Sequence, residues 1–481
     1  MKPNKLNRRE FLHESVLLAA AAGWASELGA HGQEKSGSGS PANRARVAVI
    51  GCGIRGKQHV QELSRLRDCE IVAVCDPDSE RSAEAAALVA KQPGATAKTV
   101  GDMRRIFDDS SIDAVFIAAP NHWHALAAIW AMQAGKDVYV EKPVSHNISE
   151  GRRIVEVSRK TGRMCQGGTQ NRSNMALAEA VRFMKAGELG EVKLARSIIY
   201  GGRGSIGGPG QFELPATLDY NLWAGPAPLS PLTRPKLHYD WHWAWETGNG
   251  ELGNNNIHSL DICRWGLGLT GLGKSVLSYG GRFGYTDAGQ TPNTQVVIFD
   301  FGDKTIVSET RGLKTAPFRP DFNGGWIFEG SKGLIAGTTL FDPEGKKVRS
   351  FEGKTESHFE NFLQVVRSRR REDLHAEVLE THQSTALCHI GNISWRLGRS
   401  ASPVEVREQL GKLKVHEDVQ ATLVRTEEHL RENKVDVEKT PWTLGAPLAL
   451  AAGREDFVGS PQANAFLKRT YRAPFIVPDR A

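Results

Sequence analysis

Short apolar runs alternate with a helix-like stretch over residues 46–168 of this 481-residue chain. Residues 46–50 form a run rich in β-branched side chains, the segment "EIVAVCDPD" contains a second run, and residues 113–119 and 137–140 are two more. Residues 125–134, between the last two runs, have the pattern of a helix. Strands that alternate with helices are typical of βαβ units. We therefore expect an α/β domain with a doubly wound parallel sheet over residues 46–168.

The pattern changes after residue 168. Few helical patterns separate the next strand-like segments, which are "KLARSIIY", "KSVLSYGGRFG", "TQVVIFDF", "KTIVSETRG", "WIFEG" and "LIAGTTL". Gly302 and Asp303 form a short turn between the third and fourth of them. This pattern predicts an α+β domain over residues 169–400, with an open-faced, largely antiparallel sheet. One face should meet the first domain and helices should cover the other.

The end of this second domain and the tail after it carry further helical patterns. An apolar stripe with helical spacing contains Phe359, Phe362, Leu363 and Val366, and another helix is predicted through "LCHIGNISWRLGR". Residues 401–481 are rich in charge, with scattered aromatic side chains. We interpret this tail as a helix followed by an extended arm that ends in "YRAPFIVP". Its prolines favour extended segments that lie over the protein body or over a neighbouring subunit.

Residues 1–30 have the order basic, apolar, small-residue that is typical of a signal peptide. The uncharged, alanine-rich run at residues 15–26 is too short to span a bilayer as a helix. Gly29 and Ala30 are small residues that suit a cleavage site. The alternative is an ordinary amphipathic N-terminal helix. Residues 31–45 are interpreted as a flexible leader, because they are rich in Gly, Ser and charge.

Arg8 and Arg9, followed by Phe11 and Leu12, resemble the twin-arginine export signal. Asn7 stands where that signal usually has Ser or Thr. The resemblance implies export by the twin-arginine machinery to the periplasm, or retention at the membrane if the signal is not cleaved. This route carries folded proteins, so it suits a protein that acquires a cofactor in the cytoplasm.

Charge and cysteine content exclude several classes of function. The net charge of +6 is too small to argue for a nucleic-acid partner, and the basic run "RSRRRED" is interpreted as a solvated helix end. The six cysteines show neither a CxxC pair nor zinc spacing, so we expect buried thiols and no disulfide framework. The histidine pairs in "HWH" and "HYDWH" lack a third ligand at recognisable spacing, and we expect no metal.

A glycine-rich loop follows the first predicted strand. In "GCGIRG", Gly51, Gly53 and Gly56 stand at the G-x-G-x-x-G spacing, with Ile54 and Arg55 inside the motif. The glycines permit a tight turn and let backbone N–H groups approach a pyrophosphate at the N-terminus of the following helix. Strand, glycines and helix in this order predict a Rossmann dinucleotide site to which these five residues contribute.

Asp76, at the end of the second predicted strand, discriminates between two dinucleotides. It lies twenty residues beyond Gly56, where an acid binds the ribose 2′-OH of NAD and would repel a 2′-phosphate. No Arg or Lys stands near enough in the sequence to neutralise such a phosphate. We therefore predict NAD as the cofactor, in preference to NADP.

Two further loops follow strand ends in this domain, in "AAPNHWH" and "AGKDVYVEKP". Together with the glycine loop and the acidic strand end, they closely resemble the Gfo/Idh/MocA family, named after glucose-fructose oxidoreductase, inositol dehydrogenase and a rhizopine-catabolism protein. The similarity runs from about residue 46 to at least residue 399. It implies a second domain used for substrate binding and for homo-oligomer contacts, in a dimer or tetramer. It also implies cofactor contacts by Pro120, Asn121, His124, Glu141 and Lys142.

The resemblance further implies that Lys142 lies beside the nicotinamide and the reacting carbinol. An ammonium there stabilises alkoxide character as hydride leaves, and it can relay a proton. His258 matches the catalytic histidine of the family, and a neutral imidazole is suited to take a hydroxyl proton. Many members have Asp four residues before it, where this chain has Asn254, whose amide cannot take a proton. We expect Lys142 and His258 to carry the proton transfer, with Asn254 as a polar partner.

Other polar and aromatic residues are candidate substrate contacts. Gln170 and Arg172 follow a predicted strand of the nucleotide domain, where they could contact substrate hydroxyls. Trp223 and the tryptophans of "HYDWHWAW" offer aromatic faces that suit the C–H faces of sugars. Packing of long loops at an oligomer interface explains these aromatic residues equally well.

These residues predict an NAD-dependent oxidoreductase that acts on a carbinol of a sugar, polyol or glycoside. An alternative is an NAD-dependent glycosidase, which oxidises a sugar hydroxyl, eliminates the glycosidic group, adds water and returns the hydride. A third hypothesis is a non-enzymatic, nucleotide-dependent sugar-binding or sensor protein, which has no need of a lysine and an imidazole at one carbinol. Export away from the nicotinamide pool predicts that the cofactor is tightly retained.

Overall fold

Six short strands form one parallel sheet at the start of the described chain. The structure, a computed structural model, describes residues 44–320 and 322–481, so the predicted signal peptide and residues 31–43 of the leader lie outside the described residues. The strand order is β3–β2–β1–β4–β5–β6, a doubly wound arrangement as predicted. The strands are β1 Ala45–Ile50, β2 Cys69–Cys75, β3 Lys98–Val100, β4 Ala114–Ile117, β5 Asp137–Val140 and β6 Cys165–Gly167.

Helices cover both faces of this parallel sheet. They are α1 Ile54–Leu63, α2 Ser79–Val89, α3 Arg104–Phe107, α4 Asn121–Gln133 and α5 Ile148–Thr161. Ala48 and Ile50 of β1 belong to the core beneath α4 and α5, whereas Val47 and Val49 belong to the core beneath α1 and α2. Apolar side chains on both faces are what a buried parallel strand requires. Helix α4 begins earlier than predicted, because Pro120 occupies its N-cap and the "NHWH" segment forms its first turn.

The second sheet has eleven strands and is largely antiparallel, as predicted. Its order is β14–β13–β12–β11–β7–β10–β9–β8–β16–β15, with β17 paired to β8, and only the β7–β10 pair is parallel. The predicted segment "LIAGTTL" forms two strands, because the chain turns at Gly337. The strands are β7 Val192–Tyr200, β8 Ser275–Gly281, β9 Thr294–Asp300, β10 Thr305–Arg311, β11 Gly325–Gly330, β12 Gly333–Ala336, β13 Thr339–Phe341, β14 Lys347–Ser350, β15 Arg399–Ala401, β16 Trp442–Leu444 and β17 Leu448–Ala449.

Helices lie against both faces of the larger sheet. Those that pack on it are α6 Met175–Lys185, α8 Ile257–Gly266, α10 Val378–Arg396, α11 Pro403–Leu410, α12 Val419–Glu432 and α13 Pro461–Ala465. Two other helices pack elsewhere: α7 Tyr220–Ala224 lies in the loop after β7, and α9 His358–Ser368 packs in the core of the parallel sheet. Val297 and Phe299 of β9 share a core with α6, α8 and α10. The alternate residues Val296 and Ile298 share a second core with α11 and α12. This alternation places α8 and α10 on one face of the sheet and the first tail helices on the other.

The tail, residues 401–481, contains more regular structure than the predicted helix and extended arm. Trp442 and Leu444 are buried, and β16 pairs with β8, so this stretch extends the sheet. The last segment does run as an arm, in which Phe475 packs 5.4 Å from the ring of Trp123 in α4. The arm therefore covers part of the nucleotide domain.

Three further features concern the described residues. None of their helices is long and apolar enough to cross a membrane. All six cysteines lie among them, buried and unpaired. Within this part of the chain, no group of three or more His, Cys, Asp or Glu side chains is arranged to hold a metal ion.

Candidate active site

The glycine loop between β1 and α1 is shaped for close approach of a pyrophosphate. Gly51 has φ +86°, and a Cβ there would lie 2.5 Å from the backbone nitrogen of Ala119. A Cβ on Gly56 would lie 1.7 Å from the Gly51 carbonyl oxygen, so α1 packs directly on the turn. Gly53 offers no side chain to cap α1, and Ile54 behind it is exposed. The first N–H groups of α1 are thus left for an anion, and this loop fits a dinucleotide.

Asp76 follows β2 beside the glycine loop. Its carboxylate accepts hydrogen bonds from the N–H groups of Cys52 at 2.7 Å and Asp78 at 2.9 Å. Burial raises the pKa of Asp76, and these two bonds oppose that rise. Because each carboxylate oxygen has more than one lone pair, the group can still accept a ribose hydroxyl.

Arg81 corrects the expectation that no basic residue lies near this acid. In the first turn of α2, its Nη1 lies 3.7 Å from where a Cβ on Gly53 would be. Its charge also lowers the pKa of Asp76, against the larger effect of burial. The helical turn brings Arg81 back over the glycine loop. A cation therefore stands close to the predicted ribose site.

Arg55 and Glu141 join the glycine loop to the end of β5. Arg55 Nε donates to Glu141 Oε1 at 2.6 Å, and His59 Nε2 lies 2.9 Å from the same oxygen. Burial alone would raise the pKa of Glu141, but Arg55 and His59 hold it well below its usual range. Both residues were expected to contact the cofactor. The structure pairs them with each other, so that they fix the position of the loop that carries Lys142.

Lys142 reaches from the nucleotide domain to the second domain. Its Nζ donates to the main-chain carbonyl of Asn254 at 2.6 Å, and the side-chain Oδ1 of Asn254 lies 3.5 Å away. Burial lowers the pKa of Lys142 from its usual value of 10.5, and the charge of Glu141 opposes that shift. Lys142 is therefore in direct contact with Asn254, its predicted polar partner.

A π-helical turn, Leu252–Asn256, leads into α8, and His258 is the second residue of that helix. Such wide turns are frequent at functional sites. The Nδ1 atom of His258 is buried and has no hydrogen-bond partner in residues 44–320 and 322–481. Burial, and then the charge of Lys142, lower the pKa of His258 to about 3. The ring is therefore neutral at neutral pH, with one nitrogen unpartnered.

Two charged residues that the sequence did not single out complete this cluster. Arg203 donates to Glu251 Oε1 at 3.0 Å and to the Tyr239 hydroxyl at 2.8 Å. The other oxygen of Glu251 is buried and lacks a partner among the described residues. Beside the dominant effect of burial, Glu251 raises the pKa of Lys142 and Arg203 lowers it. Glu251 stands seven residues before His258, which is about two helical turns, and this spacing could have indicated Glu251 from the sequence.

The loop between β4 and α4 is fixed by buried polar contacts. The ring nitrogens of His124 lie 2.6 Å from the Pro143 carbonyl and 2.7 Å from the Ala119 carbonyl. Asn121 donates to Asn249 Oδ1 at 2.9 Å. The side chains of Asn121 and His124 are both buried, so a cofactor contact at this loop stays a prediction. They position the two loops, and the N-cap residue Pro120 stays partly exposed.

Gln170 and Arg172 lie in the short 3₁₀ turn Gln170–Ser173 after β6. Arg172 donates to both carboxylate oxygens of Asp261 in α8, at 2.7 and 2.8 Å. Because this ion pair is buried, Arg172 fastens α8 to the turn that follows β6, and its guanidinium is occupied by Asp261 instead of being free for substrate. Gln170 is partly exposed, and its Oε1 has no partner in the described chain, so it stays a candidate contact.

The loop after β7, residues 201–247, returns over the nucleotide domain, and we call it the strap. Thr217 donates to one oxygen of Asp78 at 2.7 Å, and His238 Nε2 lies 3.0 Å from the other oxygen. The N–H of Ser79 also donates to the Thr217 carbonyl at 3.0 Å. These contacts attach the strap to the turn after β2.

Trp223 attaches the strap on the other side of the glycine loop. Its carbonyl accepts bonds from His122 Nε2 at 2.9 Å and Trp123 Nε1 at 3.0 Å, both in the first turn of α4. Its indole is buried and stacks on Tyr220, which favours a packing role for Trp223 over contact with substrate. Since β2 and β4 flank β1, the strap spans the crevice at the carboxyl ends of these strands.

Two family descriptions match most of the described chain. Residues 45–169 match the Gfo/Idh/MocA description "Oxidoreductase family, NAD-binding Rossmann fold". Residues 206–422 match its second part, "Oxidoreductase family, C-terminal alpha/beta domain". The chain belongs to the Gfo/Idh/MocA oxidoreductase family. This assignment confirms the predicted NAD-binding Rossmann domain and the oxidoreductase class.

Curated relatives within and near the Gfo/Idh/MocA family match a limited part of the chain. The scyllo-inositol 2-dehydrogenase (NAD(+)) of Bacillus subtilis (strain 168) is 33% identical over 150 residues, which are 31% of this chain and 42% of that protein. A glycosyl hydrolase family 109 protein of Shewanella sp. (strain W3-18-1) is 34% identical over 151 residues, which are 30% of this chain and 33% of that protein. The match spans less than half the length of these relatives.

A solved structure shares the Gfo/Idh/MocA fold across both domains. It is the WlbA dehydrogenase from Bordetella pertussis in complex with NADH and UDP-GlcNAcA. It is 19% identical to this chain, with a TM-score of 0.55, over 72% of this chain and 95% of that chain. At this identity the likeness concerns the fold alone.

Proposed function

We propose that this protein is an NAD-dependent oxidoreductase that acts on a carbinol of a sugar, polyol or glycoside. The observation that carries the proposal is the bond of 2.6 Å between Lys142 Nζ and the Asn254 carbonyl. It joins a strand-end lysine of the nucleotide domain to the wide turn that leads into His258. Two groups that can handle a proton thus converge from two domains, as carbinol oxidation requires.

Each residue has a distinct task in this proposal. NAD, when bound, supplies the hydride acceptor. The Lys142 ammonium stabilises the negative charge that grows on the carbinol oxygen. Neutral His258 accepts the hydroxyl proton, and because its pKa is low the ring then releases that proton to water. Asn254 orients Lys142 through its main-chain carbonyl, and its side-chain amide accepts no proton.

The proposal includes a cofactor that stays bound through many turnovers. The strap supports this, because it is hydrogen-bonded to Asp78 on one side of the glycine loop and to His122 on the other. A dinucleotide lying between these attachments could leave only after the strap detached from one of them. Retention in turn requires chemistry that returns each hydride to a sugar or to another acceptor.

The main test is turnover of a panel of glycosides and polyols by the purified protein, with cofactor absorbance and products followed together. Accumulation of NADH with an oxidised product supports net dehydrogenation. Full activity in both Lys142→Ala and His258→Ala would contradict the site. Turnover of no panel member, with the bound dinucleotide unchanged in redox state, would contradict the reaction class.

A second candidate is an NAD-dependent glycosidase that works by transient oxidation. The Shewanella relative, a glycosyl hydrolase family 109 protein that is 34% identical over 151 residues, favours it. Oxidation would acidify the neighbouring C–H, which permits elimination of the glycosidic group and addition of water before reduction. Release of an aglycone without NADH accumulation would distinguish this reaction. A non-enzymatic sugar sensor has less support, because it would not need Lys142 and His258 together.

Export and assembly extend the proposal. Arg8 and Arg9 support export of the folded protein by the twin-arginine route to the periplasm. Cell fractionation should find the protein there, and an R8K/R9K double variant should stay in the cytoplasm. Wild-type protein found only in the cytoplasm with its first residues intact would contradict export. We also expect a homodimer or homotetramer, which light scattering would distinguish from a monomer.

A further inference from the structure

A cavity of about 300 Å³ lies beside the turn that precedes α5. Four parts of the chain line it: that turn, the end of the strap with Asn249 just after it, the C-terminal half of α10, and the segment at and after α13. Lys142, Asp76 and His258 do not line it. Its volume is at the lower end of the range for small-molecule sites.

Two arginines in this cavity have no carboxylate partner in the described part of the chain. The guanidinium of Arg396 lies 4.9 Å from the Trp245 ring and 4.3 Å from the Phe466 ring, and it makes no hydrogen bond to any described residue. Arg469 Nη1 donates to the main-chain carbonyl of Glu246 at 2.8 Å. Both guanidinium groups therefore retain N–H donors for a ligand.

The two cations also repel each other. Burial, and then the charge of Arg469, lower the pKa of Arg396 to about 10. Glu246 is the one carboxylate among the residues that line the cavity, and it is exposed. A bound anion would reduce the repulsion between Arg396 and Arg469, and it would give both guanidinium groups the negatively charged partner that they lack.

Unpartnered polar atoms add hydrogen-bonding capacity to the cavity. Asn392 is 4% exposed, and it donates to the Asn249 carbonyl at 2.8 Å while its buried Oδ1 has no partner in the described chain. His146 Nδ1 accepts from Arg469 at 3.2 Å, which puts the ring hydrogen on Nε2, also buried and unpartnered. Buried polar groups are rarely left in this state. The acceptor on Asn392 suits a hydroxyl, and the donor on His146 suits an oxygen.

We propose that this cavity binds a small polyhydroxylated anion, a sugar carboxylate or a sugar phosphate. Arg396 and Arg469 hold the anionic group, and Asn392 accepts a hydrogen bond from a hydroxyl. The site is separate from the centre formed by Lys142 and His258, so the inference goes beyond the proposed oxidoreductase activity.

Calorimetric titration of the full-length protein tests this assignment, with D-glucuronate, D-glucose 6-phosphate, D-glucose and inorganic phosphate as probes. At least one sugar anion should bind, and D-glucose should not. Arg396→Met keeps an apolar stem between the two rings and loses no hydrogen bond, so it should fold and weaken binding tenfold or more. Arg469→Met and Asn392→Leu should also weaken binding. The ratio of glucuronate to glucose 6-phosphate affinity tells which anionic group the site prefers.

Matched variants separate this site from the reaction centre. Arg182→Met, which alters an exposed arginine on α6, should leave binding unchanged. Lys142→Met should also bind the sugar anion as wild type does, even if it is inactive. Equal binding by wild type and Arg396→Met, or loss of binding in Lys142→Met, would overturn the inference. So would phosphate binding as tight as that of the sugar anions, or no anion binding at tens of millimolar.

Discussion

Lys142 Nζ lies 2.6 Å from the main-chain carbonyl of Asn254, and this bond connects the two domains at the candidate active site. Because the acceptor is a backbone atom, a side-chain substitution at Asn254 leaves it in place. The Asn254 side chain lies 3.5 Å from the same ammonium and can alter its charge balance. Position and protonation of Lys142 can therefore be changed separately.

Lys142→Met and His258→Gln should each lower kcat/KM by about 10²–10⁴-fold, the usual contribution of a positioned acid or base. Methionine removes the ammonium, and glutamine removes the titratable ring. NAD affinity should stay close to wild type, because the glycine loop and Asp76 are unchanged. Steady-state kinetics and calorimetry with NAD measure the two effects, and Lys193→Met, at a partly exposed lysine on β7, is the control. Activity that survives in both variants would exclude this pair as the catalytic centre.

Asn254→Asp should move the alkaline limb of the pH profile upward. Burial lowers the pKa of Lys142, so the protonated form, which is the active one in our proposal, is lost at a lower pH than for a solvated lysine. A new carboxylate beside Nζ raises that pKa, and kcat/KM then persists to higher pH. Asn254→Ser removes the amide without adding charge and should leave the limb nearly in place. A limb that moves downward in Asn254→Asp would contradict the role of the ammonium.

Glu251→Gln should shift the same limb in the opposite direction. Glu251 raises the pKa of Lys142 and Arg203 lowers it, so loss of the carboxylate leaves Arg203 unopposed. The ammonium is then lost at lower pH. Removing both charges, in Arg203→Gln combined with Glu251→Gln, should return the limb toward wild type. If the single variant leaves the profile unchanged, Glu251 has no electrostatic effect on the site.

Asp76→Ala should abolish the preference for NAD over NADP. The carboxylate that would repel a 2′-phosphate is then gone, and Arg81, close to Gly53, remains to attract one. Adding Arg81→Ala should weaken NADP binding again. Calorimetry with both dinucleotides gives the ratio, and thermal melting controls for loss of the two N–H bonds that Asp76 accepts. Equal or tighter binding of NADP by wild type would contradict the assignment of Asp76.

Much of the fold could be predicted because local patterns determine it. The β-branched runs that became β1 and β5, the apolar stripe of α9 and the turn at Gly302 are all specified by neighbours along the chain. The split between β12 and β13 and the addition of β16 to the sheet were missed. The first is a local hairpin turn at Gly337 inside a continuous strand-like pattern, whereas the second depends on pairing with β8, which is distant in the sequence.

The candidate site was predicted less completely, for a related reason. Glycine spacing and strand-end position were enough to select Gly51 and Asp76, and the family resemblance selected Lys142. Whether a polar side chain is free for a ligand depends on its partner in space, which the sequence does not reveal. Arg172 is occupied by Asp261, and the Trp223 indole is packed inside the strap, so neither side chain is free for the role that its residue type suggested.

The strap should determine how slowly NAD leaves. Burial raises the pKa of Asp78, but hydrogen bonds from Thr217, His238 and the Glu80 N–H together hold it below its usual range, so the attachment is to a charged acceptor. Such bonds contribute about 1.5–3 kcal/mol each. Thr217→Val combined with His238→Phe should therefore release the cofactor at least tenfold faster.

Stopped-flow displacement of bound NADH by excess NAD measures the release rate. The dinucleotide freed by denaturing freshly purified protein gives the occupancy of each chain. Ser205→Ala is a suitable control, because that hydroxyl accepts a bond from Gly207 N–H within the strap and does not touch the nucleotide domain. Under the proposed export, wild-type protein should be isolated with its dinucleotide, and a nanomolar Kd corresponds to about −12 kcal/mol of binding free energy. Wild-type protein that is isolated empty and works only with millimolar NAD, or a double variant with an unchanged release rate, would show that the strap does not retain the cofactor.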